Sequence, residues 1–178
     1  MNNPVFRTLE EGEICRELFL NFHRRQKVVT CLRKEGDCWV EKEAPFIDDW
    51  SESDYAYLID CLRRTVRTGG AVFGAFVGEK LKGFVSVEST PLGKRGSYRD
   101  MTSLHVSEEL RRSGIGSQLF LLAKTWARSQ GAEKLYISSH SASESQAFYK
   151  AMGCTDAEEI NEEHAQKEPY DRQLECLL

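Results

Sequence analysis

The chain has 178 residues, 40% of them hydrophobic and 29% charged, with a formal net charge of -4. That length supports one domain with a sizeable core, expected to span residues 1–178. The acidic balance argues against nonspecific nucleic-acid binding, which wants a basic face, and no apolar run approaches membrane-spanning length. The opening MNNPVFRTLEEG lacks the basic-then-apolar pattern of a signal peptide, so a cytoplasmic location is the default expectation. Cys15, Cys31, Cys38, Cys61, Cys154 and Cys176 are scattered, with no C-x-x-C pair, and the four histidines are equally dispersed. Reduced, mostly packed thiols and no metal site follow.

In chain order, residues 5–9 form a short strand. Residues 10–26 have Ile14, Cys15, Leu18, Phe19 and Phe22 at helical spacing, with glutamates at the front and basic residues at the back. Residues 28–33 and 38–42 flank Lys34-Glu35-Gly36-Asp37 as a hairpin. Residues 44–50 are expected to be irregular because of Pro45. Ser51 caps a second helix carrying Tyr55, Leu58, Ile59, Leu62 and Val66 on one face and ending at Gly69-Gly70. Two hairpin strands, AVFGAFV and LKGFVSVES, surround Gly78-Glu79-Lys80. A loop over 90–97 precedes a strand over 98–106. After a central helix closed by Gly131 come a strand over 133–139 and a helix over 143–152 capped by Ser141 or Ser143 and stopped by Gly153. An acidic segment leads to a last strand around 173–177. The expected class is α/β, with a mixed sheet rather than a doubly wound one.

The segment LHVSEELRRSGIGSQLF, residues 104–120, carries the chemistry. A strand runs into Arg111, Arg112, Ser113, Gly114, Ile115, Gly116 and Ser117, a basic loop with little side-chain bulk at the start of a helix. Unpaired amides, the helix dipole and two arginines make an anion site of a size that suits a pyrophosphate. The phosphate-loop pattern G-x-x-x-x-G-K-[ST] is absent, and Leu119 stands where a dinucleotide fingerprint needs its third glycine.

What remains, L-x-V then R-x-x-G-x-G, resembles the acetyl-coenzyme A loop of the GCN5-related N-acetyltransferase (GNAT) family. SESQAFYKAMGC, residues 143–154, resembles that family's second motif at Phe148, Tyr149 and Gly153. It departs from the motif where Ala142 replaces the asparagine and Ser145 the alanine. The resemblance covers residues 73–153. It implies the acyl-CoA N-acyltransferase fold, a mostly antiparallel sheet splayed open beside the strand that precedes the anion loop. It implies that the loop amides hold the pyrophosphate of acetyl-CoA, that Leu104, His105 and Val106 run along the pantetheine, and that Ser141 or Ser143 replaces the missing asparagine.

Transfer to an amine needs a base, an oxyanion donor and an acid for the leaving thiolate. The resemblance makes Tyr149 the acid. Asp100, on the strand before the loop, occupies the place of the family's strand glutamate and is the leading base; Glu88 and His105 are its competitors. Backbone N–H of Leu104 or Val106 is the expected oxyanion donor. The acceptor is expected to be a small cationic primary amine of polyamine or amino-antibiotic type, acetylated directly in a ternary complex. Carboxylates mixed with aromatics over 39–57 (Glu41, Glu43, Asp48, Asp49, Glu52, Asp54) and the segment after Cys154 are the expected recognition elements. A peptide or protein N-terminus is the alternative acceptor. A CoA-binding regulator without catalysis, or an interaction module using the acidic segment, are the alternatives to an enzyme. The sequence leaves the oligomeric state open, a homodimer among the alternatives.

Overall fold

The computed structural model describes residues 3–178. The order along its main sheet of seven strands is β1 (Val5–Thr8), β4 (Ala71–Val77), β5 (Lys80–Leu92), β6 (Tyr98–Val106), β7 (Lys134–Ser139), β9 (Arg172–Leu177) and β8 (Thr155–Asp156). All neighbours are antiparallel except β6 and β7, which run parallel. A separate hairpin joins β2 (Arg25–Glu35) to β3 (Cys38–Asp49). The helices are α1 (Glu52–Arg67), α2 (Ile115–Ser129), α3 (Ser143–Ala151) and α4 (Glu162–Lys167). The mixed, mostly antiparallel sheet flanked by helices is the expected class.

Each face of the sheet has its own core. On one, Leu119, Phe120, Ala123 and Ala127 of α2 pack against Val85, Val87, Met101, Leu135 and Ile137. On the other, Leu58, Ile59 and Leu62 of α1 meet Val72, Leu81 and Phe84, joined by Leu9, Ile14, Phe19 and Phe22. Helix α1 begins where its cap predicts: the Asp54 amide donates to Ser51 Oγ and the Ser51 amide to Asp54 Oδ2, a reciprocal box.

Four expectations are corrected. Residues 10–26 are two short 3-10 turns, Glu11–Glu13 and Arg16–Phe19, not one helix. Cys15 between them is extended (φ -141°, ψ 173°), which turns Arg16 toward α1. There it makes a two-pronged bond to Glu52 (2.8 and 2.6 Å) and stacks over Tyr55. Arg25 and Lys27, expected at a helix end, belong to β2. The hairpin is also longer than expected, and Pro45 lies inside β3, where the pairing slips between Val28/Phe46 and Thr30/Glu43. A bulge is where a strand tolerates a residue with no N–H. Strand β5 runs on through Pro91, which pairs with Arg99, into the expected loop. Finally, Ala142 is the N-cap of α3, without a side-chain cap bond.

Hairpin strand β2 is tied down on both sides. The His23 amide donates to Ser107 Oγ and the Glu108 amide to the His23 carbonyl, fixing its start beside the end of β6. Further along, the Leu32 amide donates to the Ser141 carbonyl (2.7 Å) and Cys31 bridges Ala142. The strand therefore crosses from the end of β6 to the start of α3.

Helix α2 approaches β5 at Gly83, where a Cβ would stand 2.8 Å from Ile115 Cγ2 and 2.9 Å from Leu119 Cδ1. Gly83→Val is expected to cost about 1–3 kcal/mol by overpacking. Denaturant midpoints at unchanged slope check this.

Candidate active site

The site starts from a short pairing. Strands β6 and β7 are in register for three residues only, Tyr98–Lys134, Arg99–Leu135 and Asp100–Tyr136. Beyond them β6 stays paired to β5, from Met101 to Val106, while β7 stays paired to β9. The edge of β6 that faces β7 thus loses its strand partner. Backbone groups there need a partner from elsewhere. Between the two strands opens a cavity of about 1170 Å³. Its walls include Leu104, His105 and Val106 of β6, Arg111, Arg112, Gly114, Gly116 and Ser117 of the following turn, Ser138 and His140, Phe148 and Tyr149 of α3, Arg24 just before β2, Lys27 of β2, and Glu168 and Asp171.

The anion end is built from backbone. Gly114 is the N-cap of α2 in the left-handed region (φ +88°), and the first helical bond runs from the Gln118 amide to the Gly114 carbonyl. The amides of Ile115, Gly116 and Ser117 precede that bond and keep their donors for a ligand. The Ile115 side chain is buried in the core, so only its backbone can serve. No side chain crowds the cradle, because a Cβ at Gly114 would meet nothing within 4 Å. These donors, together with the open β6 edge and the cavity's size, fit acetyl-CoA.

The two arginines differ from expectation. Arg111 donates from Nη2 to the Arg25 carbonyl (2.5 Å) and from Nε to that of Val106 (3.4 Å), so it clamps β2 to the end of β6. Burial lowers its pKa, an effect opposed by the nearby carboxylates of Glu108 and Glu144. Arg112 is exposed at φ +59° and Ser113 is exposed beside it, the serine donating to the Leu110 carbonyl. Arg112 is thus the arginine free to meet a phosphate.

The His105 ring lies 4.8 Å from Trp50 and 5.4 Å from Phe84, and its Nδ1 accepts from Arg24 Nε (3.2 Å). Burial, then the charges of Arg24 and Arg111, hold its pKa well below the usual imidazole range. A neutral ring with an occupied Nδ1 is a poor base. Arg24 also pairs with Asp48 (2.7 Å).

Tyr149 packs edge-on against Phe148 (5.2 Å) and near Phe120 (6.2 Å), with its phenol in the cavity. Burial first, then Cys154 and Asp171, push its pKa upward, so the hydroxyl keeps its proton and remains a donor. Ser141 and Ser143, the expected substitutes for the missing asparagine, are engaged by β2: Arg33 donates to Ser141 Oγ (2.7 Å), and Ser143 Oγ lies 2.9 Å from the Thr30 hydroxyl oxygen. Neither lines the cavity.

Of the expected bases, His105 lines the cavity but Asp100 and Glu88 are outside its walls. Asp100 is buried and bonded through Oδ2 to His164 Nε2 of α4 (2.6 Å). Glu88 accepts from Thr65 (2.6 Å) and from Thr102 (3.3 Å). Over residues 39–57 four of the six carboxylates serve structure: Asp48 holds Arg24, Glu52 holds Arg16, Asp54 caps α1, and Glu41 accepts from Thr30; none of the six lines the cavity. The carboxylates that do line the cavity are Glu108, Glu109 and Glu144 beside the turn and α3, and Glu168 and Asp171 from the other expected segment. No motif marks the last two. The only signal was a pair of carboxylates around Pro169 at the entry to a strand.

Among the described residues no group of His, Cys, Asp and Glu could hold a metal ion, and no helix is long and apolar enough to cross a membrane.

The fold has counterparts among solved structures. Nourseothricin acetyltransferase superposes with a TM-score of 0.67 at 18% identity, covering 98% of this chain and 96% of its own. A candidate streptothricin acetyltransferase from Bacillus anthracis str. Ames, solved with acetyl coenzyme A, gives 0.70 at 14% identity, over 97% and 96%. PaiA N-acetyltransferase from Thermoplasma acidophilum, solved with coenzyme A, gives 0.61 at 14%, over 99% of each chain. No curated protein matches the chain in sequence. At such identities the superpositions speak for the fold alone, but a family model matches residues 36–154, two-thirds of the chain and both motifs at the cleft. The chain belongs to the acetyltransferase (GNAT) family, whose members are acetyl-CoA-dependent enzymes.

Proposed function

We propose that the protein transfers the acetyl group of acetyl-CoA to the primary amine of a small cationic molecule, directly, in a ternary complex. The observation that carries this is the polarity of the cleft. At one end stand Lys27, Arg112 and the free amides of α2; at the other stand Glu168 and Asp171, with Tyr149 between. Anionic phosphates suit the first end and an ammonium group the second. Glu108, Glu109 and Glu144 also reach the basic end, but Arg25 and Lys82 pair with the first two and Arg111 stands near the third. Two similar structures carry nourseothricin and streptothricin in their names, which supports an amino-antibiotic acceptor in particular.

The roles of the chain's own groups follow from position. The amides of residues 115–117 bind the pyrophosphate. The unpaired edge of β6 at Leu104 and Val106 hydrogen-bonds the pantetheine and offers an N–H to the carbonyl oxygen as charge develops on it. The Tyr149 phenol donates to the sulfur as the C–S bond breaks.

Calorimetry with acetyl-CoA, followed by thiol release across cationic, neutral and acidic amines at two salt concentrations, tests the proposal. Cationic amines should be preferred, with KM rising as salt screens Glu168 and Asp171. A preference for acidic amines would refute the acceptor class, and tight binding without turnover on any amine would leave the regulator. Gly114→Val is expected to raise the Kd for acetyl-CoA at least about tenfold, since the left-handed backbone disfavours a β-branched residue and the new side chain blocks the phosphate's approach. Circular dichroism confirms that the variant is folded. Tyr149→Phe should lower kcat roughly 10–1000-fold, near the usual worth of one general acid, with the Kd for acetyl-CoA within about twofold of the parent.

A further inference from the structure

We propose that Asp171 is the general base of the transfer, so that the carboxylate comes from the segment leading into β9 and not from the central strand. The inference rests on the function proposed above and names the proton acceptor within the same cleft.

Position decides between the candidates. Asp171 stands in the cavity wall with Tyr149. It immediately precedes β9, whose Arg172 pairs with Ser139 of β7, which puts it at the far side of the splay from the β6 edge. Ser138 Oγ donates to its Oδ2 (3.2 Å), fixing the carboxylate on the rim. Asp100 and Glu88 have no place in that wall and are already bonded, to His164 and to Thr65. Asp100 instead anchors α4, the helix just before Glu168, through His164, which also stacks on Tyr136 (5.9 Å). It is a positioning residue for the segment that carries the base.

The step balances with groups in the cleft. An acceptor ammonium enters beside Glu168 and Asp171 and gives one proton to the Asp171 carboxylate. Its lone pair then forms the C–N bond to the thioester carbon while the C–S bond breaks. Tyr149 gives its proton to the departing sulfur, and the nitrogen's second proton returns to the phenolate. The products are the N-acetyl amide, coenzyme A thiol and a proton that Asp171 releases to solvent.

The groups facing Asp171 favour this use. Burial raises its pKa, and Glu168 acts in the same direction. His140, His164 and the Ser138 bond act against it. Tyr149 faces it from α3 as a neutral phenol. An ordinary aspartate near 3.9 lies far below an alkylammonium near 10. Burying the two together favours the neutral pair and narrows that gap.

The test is the full chain with its best acceptor from the amine panel, comparing Asp171→Asn with Asp100→Asn and Glu88→Gln. Asp171→Asn should lose roughly 10²–10⁴-fold in kcat/KM, keep its Kd for acetyl-CoA, and lose the acidic limb of the pH profile. Its residual rate should climb with pH as free amine appears. Added formate should partly rescue Asp171→Ala, which a purely structural role would not allow. If Asp171→Asn does not fold, Asp171→Glu serves: it should retain turnover with a displaced acidic limb. An Asp171→Asn enzyme within about threefold of the parent, or a parental acidic limb in Asp171→Glu, overturns the assignment. So does transfer of the whole effect to Asp100→Asn with Asp171→Asn unaffected. A parent enzyme that acetylates no amine would instead overturn the function on which the assignment rests.

Discussion

The parting of β6 from β7 after Asp100 and Tyr136 is the constraint on which everything else depends. A sheet gains by pairing every backbone donor and acceptor, and an interior strand edge left without a partner is expensive unless water or a ligand meets it. Here the opening falls inside a seven-stranded sheet, between two halves that are each well paired on their outer sides. The shared core beneath it, with Met101 and Ile137 buried on the same side, keeps the two halves from closing or drifting apart. The cleft is therefore a rigid property of the sheet, and its lining strand is ready to act as a template for an amide-bearing arm.

The hairpin of β2 and β3 is the second device. It crosses the mouth of the opening and is held by backbone bonds at Glu108 and Ser141 and by side chains at both ends. Arg24 and Arg33 do much of this holding, and their guanidinium groups serve packing as well as charge: Arg24 lies over Trp50 and Arg33 over Tyr170. Because Tyr170 neighbours Asp171, the same hairpin that bridges the cleft also braces the segment that brings carboxylates to its rim. The acceptor side is thus assembled from pieces far apart in the chain and joined only by tertiary contacts.

That division explains what the sequence could and could not reveal. The cofactor side was legible because its chemistry is local: a strand, a glycine turn and a helix in succession dictate an anion site, and Phe148-Tyr149 sits at a fixed spacing after it. Helix α1 was legible for the same reason, since Ser51 and Asp54 cap it within one turn. Residues 10–26 misled because their apolar spacing imitates a helix, while Ile14, Phe19 and Phe22 are in fact buried against α1 and the sheet from two separate turns. Asp48 and Glu52 looked like part of a recognition surface because nothing local shows that Arg24 and Arg16 claim them. Asp100 matched a family position, but its partner His164 lies 64 residues on. Asp171 carries no local signature, because its importance comes from β9 pairing with β7.

The strand order has a consequence for how the enzyme comes into being. Strand β9 follows every other strand in the chain, yet it lies between β7 and β8. While a ribosome is still making residues 172–177, β7 has a bare edge and β8 has no neighbour at all. The anion turn and α2 can already be in place by then, so a nascent chain can possess a cofactor pocket before it possesses an acceptor site. The sheet is thus completed by its last strand, and until β9 pairs the edge of β7 is exposed and aggregation-prone.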